Sequence, residues 1–178
     1  GASRGVVRVG GVASVVGSFI ISAIADARST HPDVQFQIVE ELEDLLLDGL
    51  KSGEIDIAVS PEPYADDEIM LATTDTLHDM VSVFASPDHP LAGLRGVSLE
   101  AAGAADWALP PVASPVGREW LRRFHTRALE PKMPALVSRS VQVIKSAVAA
   151  DRLLCWMPEP IVAAEVARGE LVRIDADD

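Results

Sequence analysis

A single cysteine, Cys155, in 178 residues leaves nothing for an internal disulfide to pair with, and one thiol of this kind fits a reducing compartment. Long apolar runs are missing as well. The most hydrophobic stretch, Val12 to Ile24, is interrupted by Ser14, Gly17, Ser18 and Ser22, so no membrane span is expected. Basic residues are scarce: 15 Lys and Arg against 27 Asp and Glu give a net charge of −12, and no Lys/Arg cluster with interleaved aromatics breaks the pattern. Such a chain repels nucleic acid phosphates over most of its surface, which excludes direct DNA or RNA binding by this segment. The four histidines, His31, His78, His89 and His125, have no spacing that brings two onto one helix face with a carboxylate, so no metal is expected. No Gly-x-Ser-x-Gly elbow or phosphate loop occurs, and Gly10-Gly11 lacks the later glycine of a dinucleotide fingerprint; no cofactor is expected. The Asp66-Asp67-Glu68 run lacks the spacing of a calcium loop and reads as a solvated face.

What is present is a regular alternation of amphipathic helices and apolar strands, with 48% hydrophobic residues to build cores. Leu42, Leu45, Leu46 and Leu50 share one helix face, with Glu43, Asp44, Asp48 and Lys51 on the other. Gly53 stands where a left-handed residue ends the helix, and Ile55 to Val59 follows as a run typical of a strand covered on both faces. That strand stops at Ser60-Pro61-Glu62-Pro63, and loops leaving the carboxyl ends of strands in open α/β sheets are where ligands bind. The same order recurs later: Val141, Ile144 and Val148 mark a helix leading into the strand Leu153 to Pro158.

Elsewhere Val6 to Gly10 predicts the first strand, and Ser14 an N-cap before a helix with Phe19, Ile20, Ala23, Ile24 and Ala27 on one face. Val34 to Ile38 alternates as a second strand, Met70 to Thr74 is a further candidate, and Val81 to Ala85 precedes the loop Ser86 to Gly93. A short helix from Ser98, strands at Trp107 to Leu109 and Ala135 to Ser138, a helix from Gly117 to Arg127, a helix over 161–168 and a final strand over 171–174 complete the pattern.

The ordered pieces His31-Pro32-Asp33-Val34, Leu50-Lys51-Ser52-Gly53-Glu54-Ile55-Asp56-Ile57-Ala58, His89-Pro90-Leu91-Ala92 and Gly169-Glu170-Leu171-Val172 together resemble the effector-binding domain of LysR-type transcriptional regulators. The resemblance covers essentially the whole chain. It implies an α/β fold of the type 2 periplasmic binding protein kind, two Rossmann-like lobes joined by two crossing strands, with lobe I at 1–85 plus 158–178 and lobe II at 86–157. One departure stands out. The family often has a Gly-x-Gly turn before the last long strand, and Asp151-Arg152-Leu153 replaces it here, although Leu153 adopts a left-handed conformation only at a cost.

The resemblance further implies a cytoplasmic, non-enzymatic sensor that binds a small-molecule effector, acts as a homodimer or tetramer, and meets DNA through an N-terminal winged-helix domain outside this chain. Prephenate dehydratase shares the architecture, but its Thr-Arg-Phe motif is absent. Two alternatives stay open: an extracytoplasmic solute-binding protein, and a domain that only oligomerises. Candidate ligand residues are Ser14 with Val15 and Ser140 with Val141 at helix starts, where a hydroxyl and free amides hold an anion or simply cap the helix. Ser60, Pro61 and Pro110 follow strands, and Arg118 lies at a helix start, where a carboxylate neighbour or a bound anion would explain a cation. Cys155 reads as packing. Leu47 on the leucine helix, and Trp120, Leu121 and Phe124 on the helix from Gly117, are expected to form the mutual surface of an antiparallel dimer.

Overall fold

The computed structural model describes residues 5–61, 67–72 and 80–176. Glu62, Pro63, Asp66, Thr73, Thr74 and His78, named above, lie outside them. By internal packing the chain forms two compact units, Gly1–His78 and Asp79–Asp178. No helix among the described residues is long and apolar enough to cross a membrane.

In the first unit, β1 (Gly5–Gly11) lies between β2 (Val34–Glu40) and β3 (Ile57–Val59), all parallel, with Gly11 beside Glu40 and Val59. Helices α1 (Ala13–Val15) and α2 (Ile21–Thr30), joined by a π-helical turn over Val16–Ile20, connect β1 to β2, and α3 (Glu43–Ser52) connects β2 to β3. Gly53 ends α3 with φ 74°, the left-handed stop the sequence called for. Leu46 is fully buried and Ile55 is 4% exposed. The segment leaving α3 folds back closely on the helix because Gly49 has no side chain: a Cβ there would lie 2.6 Å from Ile55 Cδ1.

Four local expectations are corrected. Ser14 is not the N-cap of the first helix; Val12 is, with no side-chain cap, and Ser14 sits inside the first turn. Nor do Phe19 and Ile20 share a buried face, since Ile20 is buried and Phe19 is 48% exposed. The π turn adds a residue per turn and so rotates Phe19 outward. The third strand is shorter than Ile55 to Val59 because Asp56 leaves the ladder: its amide donates to the Arg8 carbonyl, and its carboxylate accepts from the Arg8 amide at 2.7 Å. Ile57 is 53% exposed, so this strand is not covered on both faces. Met70 to Ala72 carry no strand.

The second unit contains the antiparallel sheet β7-β4-β8, formed by β4 (Val81–Ala85), β7 (Leu154–Pro158) and β8 (Val172–Arg173). A parallel pair, β5 (Ala108–Leu109) and β6 (Leu136–Val137), is joined to it by a bridge from Trp107 to Leu154. Helices α4 (Leu99–Ala104), α5 (Pro115–His125), α6 (Val141–Ala150) and α7 (Glu159–Ala167) complete the unit. Along β7 the side chains alternate between two cores. Leu154 and Trp156 join Ala85, Trp107, Trp120 and Phe124, whereas Cys155 and Met157 join Phe84, Ile144, Val148 and Val162. Trp120 and Phe124, expected on a dimer surface, are therefore 3% and 2% exposed within the chain's own core.

Where the family's glycine turn is replaced, no left-handed residue is needed. Asp151 ends α6 in an extended conformation (φ −141°, ψ 169°), the Leu153 amide donates to the Asp151 carbonyl at 2.9 Å, and Leu153 is buried. Farther along, His89 is buried in the proline-rich loop and its Nδ1 accepts the Leu91 amide at 3.0 Å. Burial, and then the charge of Arg152, lower its pKa and favour the neutral ring that this hydrogen bond requires.

Helices α6 and α7 are tied by Lys145 Nζ, which lies 2.8 Å from Glu165 Oε1 and donates to the Ile161 carbonyl at 3.1 Å. Both side chains are about nine-tenths buried or nearly so, at 15% and 13% exposed. The hydrogen bond from Lys145 is the main cause holding the Glu165 carboxyl below its ordinary 4.5. A depressed carboxyl stabilises the fold above its unfolded pKa, and the contribution is lost as pH falls below 4.5 through the folded value. Glu165→Gln is expected to lower stability at neutral pH by roughly 1.5–3 kcal/mol, and to reduce the loss of stability on acidification. Urea unfolding at a series of pH values checks both; an unchanged acid limb would show that Glu165 does not contribute to it.

Candidate functional site

Each unit places its candidate residues beyond the carboxyl ends of paired parallel strands. In the first, β1 and β3 end side by side at Gly11 and Val59, so Val12 to Val15 and Ser60-Pro61 leave from the same edge of the sheet. The Val12 carbonyl accepts the amides of Val15 and Val16, at 3.0 and 3.1 Å, which leaves those of Ala13 and Ser14 without an intrahelical acceptor. Ser14 and Val15 are each 9% exposed. The Ser14 carbonyl accepts the Ser18 hydroxyl at 2.8 Å, so this turn is braced from within. Ser60 is half-buried and Pro61 exposed.

In the second unit, β5 and β6 end together at Leu109 and Val137, and the Ser138 amide donates to the Leu109 carbonyl at 3.0 Å. Pro110 thus leaves beside the segment Ser138 to Val141. Ser140 is the N-cap the sequence predicts: its hydroxyl accepts the Val143 amide at 3.3 Å, and its own amide donates to Ser138 Oγ at 3.1 Å. Ser140 is exposed, Val141 half-buried. Pro110 and Ser140 are brought to one edge by strand pairing, as Ser14 and Ser60 are in the first unit.

Arg118 finds a partner other than an anion. Its guanidinium donates to the carbonyl of Ala113, folding back over the start of α5, and the side chain is exposed. A backbone acceptor explains this cation at a helix start without a ligand.

The residue that sequence reasoning passed over is Ser114. It is 1% exposed, caps α5 by accepting the Gly117 amide at 3.2 Å, and is followed by Pro115 at the first helical position. The Ser-Pro pair is a start signal legible in the sequence. Gly117 then lets the Pro111–Val112 backbone lie against the helix: a Cβ at Gly117 would collide with the Pro111 carbonyl oxygen and lie 2.7 Å from Val112 Cα. The backbone just after Pro110 is therefore held by α5.

The chain matches the family model described as the LysR substrate binding domain over residues 1–178. It is similar in structure to the regulatory domain of Synechocystis PCC6803 CcmR in complex with 2-PG, with a TM-score of 0.83 at 22% identity, covering 98% of this chain and 82% of that one. The effector-binding domain of QuiR in complex with shikimate aligns with a TM-score of 0.78 at 16% identity, covering 99% and 82%. That of BenM with its effector benzoate aligns at 0.68 and 22% identity, covering 98% and 78%. No curated protein matches in sequence.

Cys155 stands apart from these edges. It is fully buried, and burial pushes its thiol up to about 12, only partly offset by a backbone hydrogen bond involving Phe84. The nucleophilic thiolate is thus suppressed. Iodoacetamide is expected to leave the native protein unmodified near neutral pH and to label it on unfolding, which mass spectrometry reads directly; rapid native labelling would contradict the packing role. For Gly117→Ala, steric conflict with backbone predicts a loss of about 1–3 kcal/mol, measurable by denaturant unfolding.

Proposed function

The chain belongs to the LysR substrate binding domain family, with the type 2 periplasmic-binding-protein fold, and on that premise we propose that it senses a small organic carboxylate held between two lobes. The observation that carries this reading is the repeated geometry of the two units: in each, a serine-bearing helix start and a serine or proline loop leave the carboxyl edge of paired parallel strands. Free first-turn amides and hydroxyls favour a singly charged, partly apolar molecule over a polyanion, because few cations stand at these edges and Arg118 is engaged by Ala113. Ser14, Val15, Ser60 and Pro61 contact the ligand from one lobe, and Pro110, Ser140 and Val141 from the other. In this reading the lobes are 1–85 with 158–178, and 86–157, so the crossings fall on β4 and β7.

A ligand shifts a conformational equilibrium only through its different affinity for the two states. Effector binding would therefore change lobe closure, and with it the geometry of a DNA-bound homodimer or tetramer whose DNA contacts are made by an N-terminal domain. No catalytic step is required of the chain. The QuiR domain in complex with shikimate and the BenM domain with benzoate support a small carboxylate, while the CcmR domain in complex with 2-PG leaves the charge of the particular effector open.

A thermal-shift screen of small aliphatic and aromatic carboxylates tests the reading, since a ligand at 100 times its dissociation constant that binds only the folded state adds about 2.7 kcal/mol. For a hit, calorimetry on two variants separates binding from capping. Ser140→Ala is expected to cost about 1 kcal/mol of stability through the lost cap. Ser14→Ala removes no cap and should leave stability nearly unchanged. Each should weaken binding by roughly 1.5–3 kcal/mol if its hydroxyl meets the carboxylate. Unchanged affinity in both variants would reduce the serines to local structural roles.

A further inference from the structure

We infer that the second unit contains a separate binding pocket for a compact monocarboxylate, walled by all three tryptophans of the chain. The motivating feature is a cavity of about 80 Å³ bounded by β4, α4, α5, β7 and β8, distinct from the strand-end edge that carries Pro110 and Ser140. Aromatic residues make up 4% of the sequence, yet Trp107, Trp120, Trp156 and Phe124 all line this one space. Edge-to-face contacts hold three of the rings in place, with centroids 5.6 Å apart for Trp107 and Trp120 and 5.1 Å for Trp120 and Phe124.

The polar groups at the walls are mostly donors. The Trp120 indole N–H is buried and has no hydrogen-bond partner among the described residues, whereas that of Trp107 donates to the Ala102 carbonyl at 2.8 Å. An indole N–H can only donate, and leaving it buried without an acceptor is costly. Arg123 and Arg173 line the same space. The Arg123 guanidinium lies 4.9 Å from the Trp156 ring centroid, and Arg173 Nη1 lies 3.4 Å from Glu159 Oε1, so both heads are positioned. Glu119, 3.9 Å from Arg123 Nε, and Glu159 engage these cations, and each guanidinium carries five N–H donors. In a chain with 27 acidic and 15 basic residues, two arginines and no carboxylate side chain among the described residues line the cavity. The glutamates stand behind these lining groups, with Glu159 also accepting from Ser82 Oγ at 3.0 Å, so donors rather than carboxylates face the cavity in the proposed site.

Size narrows the class. A cavity of about 150 Å³ is known to hold benzene, so one of half that volume suits an acyl chain of roughly two to four carbons, its tail among the rings and its carboxylate toward the arginines. Phosphates and dicarboxylates would bring a second charge into aromatic walls.

Because the three tryptophans are the walls, intrinsic fluorescence of the whole chain is the readout. Titration with sodium butyrate at constant ionic strength is expected to change the emission saturably, and 1-butanol, matched in shape but neutral, to bind about tenfold more weakly or less. Ala102→Leu, which fills the cavity, and Arg123→Gln, which removes a cation from its wall, should each weaken butyrate binding by about tenfold or more, with folding verified by circular dichroism. Should Ala102→Leu fail to fold, Arg123→Gln still decides. Ser140→Ala should leave the butyrate response intact, which separates this pocket from the strand-end site. No saturable response, equal binding of butanol, or a response lost in Ser140→Ala and kept in both pocket variants would overturn the inference.

Discussion

Strand β7 is buried on both faces, and the second unit is organised around that constraint. Leu154, Cys155, Trp156 and Met157 are at most 8% exposed, and they face alternately into two different cores. A strand so covered must satisfy its backbone groups within the sheet, which β4 does in antiparallel register from Val81 opposite Pro158 to Ala85 opposite Leu154. Much else follows from this ladder. Each neighbouring helix packs on one side or the other: α5 meets the tryptophan core through Trp120 and Phe124, and α6 and α7 meet the opposite core through Ile144, Val148 and Val162. The thiol of Cys155 is chemically silenced by the same burial that makes the strand central.

The two strand-end edges obey a different logic, because there the backbone itself is exposed. Parallel strands that end in register deliver consecutive loops to one edge, and the helices that follow begin with amides lacking intrahelical acceptors. A hydroxyl at such a place serves the helix, a ligand, or both. Ser140 serves its helix visibly, and Ser14, inside its first turn, does not. The turn around Ser14 is instead braced by Ser18, and the loop at Pro110 by the close fit of Gly117 against Pro111. Both edges are thus braced by contacts within the chain itself.

Charge is distributed unevenly in a way that bears on recognition. The net charge of −12 belongs to the surface, and most ion pairs there, such as Arg122 with Glu119 or Arg168 with Glu170, are exposed and contribute little stability. The Lys145–Glu165 pair differs because it is largely buried and joins two helices. Arginine beside the tryptophan-lined cavity differs again, since a cation held against a ring keeps its donors while covering apolar surface.

Much of the architecture was determined by the sequence alone. The leucine spacing and Gly53 defined α3 and its end, the alternation of Val81 to Ala85 marked β4, Ser98 and Ser140 announced their caps, and the ordered family pieces identified the fold, because each signal lies within one turn or one strand. Tertiary structure alone decided other features. A π turn rotated Phe19 out, Asp56 left the ladder to bond with Arg8, and Asp151 took an extended path in place of a glycine turn. Trp120 and Phe124, which present a plausible surface on an isolated helix, became core through contact with Trp107, more than ten residues distant in sequence. Local patterns record what a segment can form, whereas burial and the pairing of polar groups depend on neighbours that only the folded chain brings together.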